Sequence, residues 1–209
     1  EAACPVGDFF LFFAADCLSM ARPAVASPDR VQRESMITSA PIIGGEALGG
    51  AELFYILLMN ALQARQLPVL AINVAGSRVA AGLHTGIAQQ HVPMRNVWDV
   101  LSRWRIGEII RERQPDIVQT YMGRATRLTR LPVGRRPVHV ARLGGYYPPH
   151  GYRHAHAWVV NSPGIHDHLI QHGFPPDRVF QVSNFVAPCV AAAPEALQAL
   201  RQELVIPDD

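Results

Sequence analysis

Residues Ile37–Gln66 have the sequence ITSAPIIGGEALGGAELFYILLMNALQARQ, and this stretch decides the fold class. The apolar run Ile37–Ile43 predicts a short buried strand, and Gly44–Gly50 predicts the glycine-rich loop that follows it. Ala51–Gln66 is apolar around most of its circumference, so we expect a helix that packs against a sheet. A strand, a glycine-rich loop and a helix in this order indicate the first unit of a parallel α/β sheet.

Strand and helix patterns go on alternating along the rest of the chain. Further strands are predicted at Pro68–Val74, Gly86–Pro93, Ile117–Met122, Pro137–Leu143, Ala157–Asn161 and Arg178–Ser183. Further helices are predicted at Val97–Arg113, Arg124–Arg130 and Ser162–His172, the last one ended by Gly173. For the helix Val97–Arg113 we expect the core-facing side to consist of Trp98, Leu101, Ile106, Ile109 and Ile110. Helices between strands require parallel pairing, so the prediction is a doubly wound, Rossmann-like α/β sheet.

Length and composition are those of a globular protein. The chain has 209 residues, of which 49% are hydrophobic and 17% charged, enough for one domain with a sizeable core. The sequence contains no apolar run long enough to span a bilayer. Three widely spaced cysteines form neither a CxxC pair nor a disulfide framework, which fits a reducing compartment and predicts a cytoplasmic location.

The N-terminal stretch differs from the rest. Phe9–Ala15 resembles the core of a signal peptide, but no basic residue precedes it, so a cleaved secretion signal is the weaker alternative. We predict that residues 1–35 are an extension outside the domain, disordered or non-native.

Basic residues cluster in the middle of the chain. Nine arginines and three acidic residues between Arg103 and Arg136 give that stretch a net charge of +6. One interpretation is a solvated helix surface, and the other is a face for anionic lipid or phosphorylated ligands.

Ligands of doubly wound sheets bind at the carboxyl ends of the strands, so functional residues are sought in the loops there. These loops are Gly44–Gly50, Asn73–Arg78, Tyr121–Arg124, Arg142–His150, Asn161–Ser162 and Asn184–Val186.

The turn Gly49-Gly50-Ala51-Glu52 opens the first long helix, whose free N–H groups would face an anion. Its spacing matches neither the GxGxxG dinucleotide fingerprint nor a P-loop. A phosphate-binding turn and a purely structural turn both stay open.

The loop Arg142–His150 contains an arginine, two glycines and two tyrosines, which suit a sugar or a phosphate; the alternative is an irregular surface loop. His168 and His172 are spaced i, i+4, but no third ligand accompanies them, so we predict no metal site and expect exposed or capping histidines. The sequence contains no GxSxG elbow, and acidic residues are sparse near the strand ends, which disfavours hydrolases.

Five ordered segments resemble the N-terminal domain of the family 4 retaining glycosyltransferases, which belong to the two-domain GT-B class. They are GGAE at 49–52, PDIVQT at 115–120, HVARLGGYY at 139–147, WVVNS at 158–162, and HGFP at 172–175 followed by SNFV at 183–186. The third segment resembles a bacterial subgroup linked to lipopolysaccharide or cell-surface glycan assembly. The resemblance covers Met36 to about Val186.

This resemblance implies retaining transfer of a hexosyl group from a nucleotide diphosphate sugar to a glycan or lipid-linked acceptor. It implies no obligatory metal and no other cofactor, so helix N-termini and basic groups would stabilise the leaving diphosphate. The donor diphosphate would lie near Gly49 and Gly50. The acceptor side of the cleft would be formed by Tyr121, Arg124, Arg142, Gly144, Gly145, Tyr146, Asn161 and Asn184. No catalytic residue is assigned, because Tyr121-Met122-Gly123-Arg124 stands where many relatives carry a histidine.

The resemblance also predicts the domain organisation. Residues 36–187 would form the N-terminal half of a GT-B fold, and residues 188–209 would be a linker and the truncated start of the second domain. Because that domain holds most nucleotide-sugar contacts in the family, we expect the chain to be inactive by itself. The expected partners are the donor, the acceptor and the inner face of the membrane as a peripheral contact, but no nucleic acid.

Two other functions stay open, a nucleotide-sugar 2-epimerase of the same fold and a non-catalytic Rossmann-type binding module. A nicotinamide oxidoreductase is disfavoured, because GxGxxG is missing and no acidic residue ends the second strand.

Overall fold

The structure, a computed structural model, describes residues 37–134, 136–185 and 193–205. Seven parallel strands form one sheet in the order β3-β2-β1-β4-β5-β6-β7. The strands are β1 Ser39–Ile43, β2 Leu70–Asn73, β3 Ala88–His91, β4 Ile117–Tyr121, β5 Val138–Leu143, β6 Ala157–Val160 and β7 Val179–Gln181. Every predicted strand is confirmed, each one shortened at one or both ends.

Helices connect the strands. They are α1 Gly50–Ala64, α2 Arg78–Gly82, α3 Val100–Arg113, α4 Met122–Leu128, α5 Pro163–Gln171 and α6 Pro194–Glu203, with 3-10 turns at Pro149–Gly151 and Pro176–Arg178. The four predicted helices are confirmed. Helix α2 was not predicted, because five residues with one buried side chain show no hydrophobic period. The doubly wound, Rossmann-like α/β fold is confirmed.

Both faces of the sheet are covered. Ile43 packs with Tyr121 and the buried residues of α1, whereas Ile42 packs with Val118 and residues of α3 and α4 on the other face. Successive side chains of a strand point to opposite faces, so a strand covered twice must be apolar throughout. All five residues of β1 are buried accordingly.

Helix α1 is the most deeply buried helix next to the carboxyl edge of the sheet. Its buried residues are Glu52, Phe54, Tyr55, Ile56, Leu58, Met59 and Leu62. Leu53, which the apolar pattern includes, is half exposed. Tyr55 is fully buried, and its hydroxyl donates to the carbonyl of Pro41 at 3.1 Å, so its polar group is satisfied in the core.

The inward face predicted for Val97–Arg113 needs a correction at two positions, Trp98 and Leu101. Helix α3 begins at Val100, because Asp99 caps it by accepting the backbone N–H of Ser102 at 3.0 Å. Trp98 therefore precedes the helix, and Leu101 lies off its buried stripe. That stripe consists of Ser102, Ile106, Ile109 and Ile110. Trp98 and Leu101 are 82% and 77% exposed, so the prediction that they face inward was wrong.

Gly173 ends helix α5 with a φ of +77°, as predicted. Helix α6 lies in the stretch predicted to start a second domain, and its Leu197 and Leu200 are about half exposed. The extension predicted for residues 1–35 lies outside the described residues, and the domain boundaries stay predictions.

Candidate functional site

The carboxyl edge of the sheet contains a topological switch point. Strands β2 and β3 follow β1 on one side, and β4 to β7 extend the sheet on the other. The connections that leave β1 and β4 therefore diverge, which leaves room for a ligand between them. Ile43 and Tyr121, the last residues of these strands, are paired across this edge.

The glycine turn before α1 is organised by Glu52. The buried Glu52 carboxylate accepts the backbone N–H of Gly49 at 3.2 Å. A Cβ on Gly45 would lie 2.1 Å from Glu52 Oε1, so a larger residue there would displace the Glu52 side chain. The Gly49 amide is thus already hydrogen-bonded within the protein. Diphosphate binding by Gly49 and Gly50 stays a prediction, for which the Gly50 amide is the better candidate.

Arg124 holds three segments of this edge together. Its Nη1 donates to the carbonyl of Gly44 at 3.0 Å and to the carbonyl of Met94 at 3.1 Å. The loops after β1 and β3 are thereby tied to helix α4. The Nη1 group of Arg124 thus has a structural role, whichever ligand the remaining N–H groups contact.

Tyr121, another predicted cleft residue, is fully buried. Its ring packs edge-on against Tyr55 with centroids 5.0 Å apart, and its hydroxyl donates to Gln119 Oε1 at 3.1 Å. Burial raises the pKa of the Tyr121 phenol well above its usual value. The side chain therefore stays neutral and supports the floor of the site.

Arg142 and Asn184, 42 positions apart, are brought together as predicted cleft residues. Arg142 Nη2 donates to Asn184 Oδ1. The guanidinium lies 3.8 Å over the ring of Phe54, a cation–π contact that the sequence did not predict. Phe185 packs against the same ring at 4.9 Å, so the segment that leaves β7 is held on α1.

The loop after β5 adds two more predicted residues to this group. A Cβ on Gly144 would lie 3.8 Å from Arg142 Nη1 and 3.7 Å from Asn161 Nδ2, so Gly144 lies between these side chains. Arg142, Gly144, Asn161 and Asn184 therefore form one cluster, which we call the Arg142 cluster. Tyr146 lies on an exposed rim and packs edge-on against His168 at 5.3 Å.

Gly145 lies beside Tyr147. A Cβ there would meet the ring of Tyr147 at 3.5 Å, an ordinary van der Waals contact. Of the ten residues predicted for the cleft, Arg142, Gly144, Asn161 and Asn184 are thus in direct proximity, and Tyr121 adjoins them, with its ring 5.7 Å from the Arg142 guanidinium. The other five, Gly49, Gly50, Arg124, Gly145 and Tyr146, are not part of that cluster.

A buried polar network that sequence reasoning missed lies beneath helix α4. Thr126 Oγ1 donates to the carbonyl of Met122 at 2.8 Å, so Thr120 must donate to Thr126 across 2.9 Å. Thr120 Oγ1 then accepts from His139 Nε2, also at 2.9 Å. This order places the His139 proton on Nε2 and leaves its buried Nδ1 as an acceptor without a partner.

His154 and His156 complete this network. His156 Nδ1 accepts the backbone N–H of His139 at 3.1 Å, and His154 Nε2 donates to the carbonyl of Thr126 at 2.8 Å. Burial lowers the pKa of all three histidines, most strongly for His139, which the neighbouring rings lower further. The network is therefore built for neutral imidazoles. The close spacing of His154 and His156 in the sequence is the one feature that could have indicated this network.

A basic and aromatic surface lies at the start of α3. Trp98 and Arg103 line a surface pocket together with Arg127, Arg130 and His150. Partial burial and the neighbouring Arg103 and Arg127 lower the pKa of Arg130, so positive charges crowd this surface. Leu101 and Trp104 are exposed on the same helix turn. We call Trp98, Leu101, Trp104, Arg103, Arg127 and Arg130 the Trp98 surface.

Among the described residues no group of three or more His, Cys, Asp or Glu side chains is arranged to hold a metal ion. The rings of His168 and His172 are tilted against each other with centroids 4.3 Å apart, and His172 Nδ1 donates to the carbonyl of His168 at 2.7 Å, a capping contact of the predicted kind. Within the described residues, no helix is both long and apolar enough to cross a bilayer.

Comparison with known proteins links this fold to glycosyltransferases. No family model matches the chain. The chain is 30% identical over 106 residues to the lipopolysaccharide core biosynthesis glycosyltransferase LpsD of Rhizobium meliloti (strain 1021). That match covers 50% of this chain and 30% of LpsD.

Two solved structures share the fold. The structure of Anabaena Alr3699/HepE in complex with UDP-glucose matches with a TM-score of 0.60 and 15% identity, over 83% of this chain and 51% of HepE. The apo form of the lipopolysaccharide outer core galactosyltransferase WaaB matches with a TM-score of 0.51 and 14% identity, over 72% of this chain and 46% of WaaB. The chain spans about half the length of these two proteins, which is consistent with one half of a GT-B fold.

Proposed function

We propose that this chain is the acceptor-side domain of a family 4 retaining glycosyltransferase that transfers a hexosyl group to a glycan or lipid-linked acceptor. The Arg142 cluster carries the proposal, because it collects an arginine, two amides and an open glycine at the edge where doubly wound sheets bind ligands. The similarity to LpsD over half of the chain supports lipopolysaccharide or another cell-surface glycan as the acceptor class.

We propose a nucleotide diphosphate sugar as the donor. HepE was crystallised with UDP-glucose, which makes UDP-sugars the first donors to test. The first-turn amides of α1 at Gly50 would face the diphosphate, and basic groups would stabilise the developing charge without an obligatory metal.

The same proposal gives the exposed Tyr146 a role on the acceptor side. Its ring is 68% exposed at the rim of the Arg142 cluster, and an exposed aromatic face can stack on a pyranose ring. This residue is therefore a suitable position to test for acceptor binding without disturbing the core.

The test combines saturation-transfer NMR with a transfer assay on the 209-residue chain. We expect contacts to a lipopolysaccharide core oligosaccharide that are lost in Tyr146→Ala and kept in Leu53→Ser, an exposed position on α1. We expect little or no sugar transfer from a panel of nucleotide sugars, because the chain spans about half the length of the solved glycosyltransferases.

Three results would contradict these proposals. Absence of oligosaccharide contacts would remove the acceptor role. Robust transfer by the chain alone would show that no second half is needed. Release of UDP together with an epimerised sugar, without an acceptor, would instead indicate the 2-epimerase.

We further propose that the protein is cytoplasmic and contacts the inner membrane peripherally through the Trp98 surface. Exposed tryptophans beside arginines suit the interface of an anionic bilayer, where each arginine contributes about 1 kcal/mol. Sedimentation with vesicles containing phosphatidylglycerol should therefore exceed that with phosphatidylcholine alone. It should fall in 0.5 M salt on the order of tenfold, because a Debye length of about 4 Å screens these charges.

A double variant tests which residues make this contact. Trp98→Ser with Leu101→Ser should abolish sedimentation, whereas Leu53→Ser should leave it unchanged, although all three positions are exposed. Equal binding of the double variant and the control would contradict the membrane proposal.

A further inference from the structure

The Arg142 guanidinium is a buried positive charge for which the described residues provide no carboxylate partner. The side chain is 3% exposed, and none of the described ion pairs includes it. Burial lowers the pKa of this guanidinium, which the neighbouring Tyr121 and Tyr147 offset only in part. Burying a cation without an anion costs free energy, which indicates that this charge has a function.

Two polar atoms beside this charge have no hydrogen-bond partner. Arg142 Nε is a buried donor without an acceptor, and Asn161 Oδ1 is a buried acceptor without a donor. Buried polar groups of folded proteins are nearly always paired, so unpaired atoms on two side chains that both lie beside Gly144 indicate a ligand that pairs them. The ligand must offer an acceptor for arginine and a donor for asparagine.

Gly144 lies at the surface beside these two side chains. It is exposed, and the position that its Cβ would take lies 3.8 Å from Arg142 Nη1 and 3.7 Å from Asn161 Nδ2. Any side chain there would stand between the two functional groups, and glycine leaves that space open. This open space lies at the carboxyl edge of the sheet, next to the exposed Tyr146.

We infer that Arg142 and Asn161 form a subsite for an oxyanion with a neighbouring hydroxyl group, as found in an acidic or phosphorylated sugar. The carboxylate or phosphate would accept from the guanidinium, and the hydroxyl would donate to Asn161 Oδ1. This inference rests on the proposed function in that it specifies which sugars the acceptor side selects. The same chemistry occurs in a nucleotide diphosphate, which is the second source to be tested.

Gly144→Ala is the decisive variant. The added methyl would make ordinary van der Waals contacts with Arg142 and Asn161, so the fold should tolerate it. It would also fill the space between these two side chains that a ligand needs. Gly107→Ala, on helix α3 with open space around the added methyl, is the matched control. Arg142→Gln removes the charge itself, and thermal unfolding of each variant checks that it is folded.

The probes are methyl glucuronide, glucose 6-phosphate, UDP and neutral methyl glucoside, titrated into the full 209-residue chain and followed by NMR. We expect the anionic glycosides to bind at least tenfold more tightly than methyl glucoside, and Gly144→Ala and Arg142→Gln to remove this preference. Gly107→Ala should keep it. A preference shown by UDP alone, and lost in Gly144→Ala, would support the subsite with the donor as its source.

Equal binding of anionic and neutral glycosides, or the same anion preference in Gly144→Ala and Gly107→Ala, would overturn the subsite. The proposed function fails separately, since it requires contacts to the core oligosaccharide that depend on Tyr146. A chain that keeps those contacts but has no anion preference would refute the inference alone.

Discussion

Acid should destabilise this protein at a pH well above that at which carboxylates titrate, because three wholly or partly buried histidines are held neutral. Burial lowers the pKa of His139, His154 and His156 in the folded state. In the unfolded chain each titrates near 6.5 and binds a proton that the folded state refuses. The unfolded state therefore holds more protons below that pH, and the free energy of unfolding falls as the pH falls.

The size of this effect follows from the number of neutral histidines. At pH 5.5, one unit below the unfolded pKa, each histidine that stays neutral costs about 1.4 kcal/mol. His139 alone, which is fully buried, gives about 1.4 kcal/mol, and the less deeply buried His154 and His156 add to it in the same direction. A domain has about 5–15 kcal/mol of stability in total, so a shift of this size is readily measured. Above pH 7 the contribution of these groups should no longer change.

Urea unfolding followed by tryptophan fluorescence at pH 7.5, 6.5 and 5.5 measures this dependence. His139→Gln can keep the donor to Thr120 and should reduce the pH slope by about one proton, whatever its effect on stability at pH 7.5. Leu53→Ser, an exposed position that carries no titrating group, should leave the slope unchanged. A free energy of unfolding that stays constant from pH 7.5 to 5.5, or equal slopes for wild type and His139→Gln, would refute the reasoning.

Three further predictions concern the carboxyl edge of the sheet. Gly45→Ala should cost about 1 kcal/mol in urea unfolding, since its methyl displaces the Glu52 carboxylate from the Gly49 amide, whereas Gly50→Ala, with open space around it, should be neutral or stabilising. Arg124→Met should cost about 2–4 kcal/mol by the same measurement, because two carbonyls lose their donor; a cost near zero would contradict the tie between these loops. Glu52→Gln should strengthen UDP binding several-fold in NMR titration, because it removes a negative charge beside the predicted diphosphate site; unchanged binding would argue against that site.

The sequence predicted the sheet well because both of its faces are buried. Neighbouring residues such as Ile42 and Ile43 pack on opposite faces, so each strand is a continuous apolar run that stands out from the loops. Parallel pairing then places every loop that follows a strand at one edge. For this reason Arg142 and Asn184 could be assigned to one site although 42 positions separate them.

The contacts that decide the chemistry of the site could not be predicted from the sequence. The ring of Phe54 lies under the Arg142 guanidinium, and no local pattern relates a helix residue to a strand so far along the chain. Glu52 is a different case, since its spacing of three from Gly49 is that of a capping contact and could have been recognised. The exposure of Trp98 was missed because an apolar residue near an amphipathic helix was assigned to its buried face, and Asp99 begins the helix later.

The geometry of Arg142 allows a ligand to bind without loosening the protein. Arginine presents five N–H donors in a rigid planar fork, and Asn184 takes a single one of them, at Nη2. The unpaired Nε points from the same plane, so an oxyanion can be accepted there while the Asn184 bond persists. Phe185, next to Asn184, stays packed on Phe54 in that arrangement. Because the guanidinium is already fixed by an amide and an aromatic ring, an anion that binds to it would lose little affinity to ordering of the side chain.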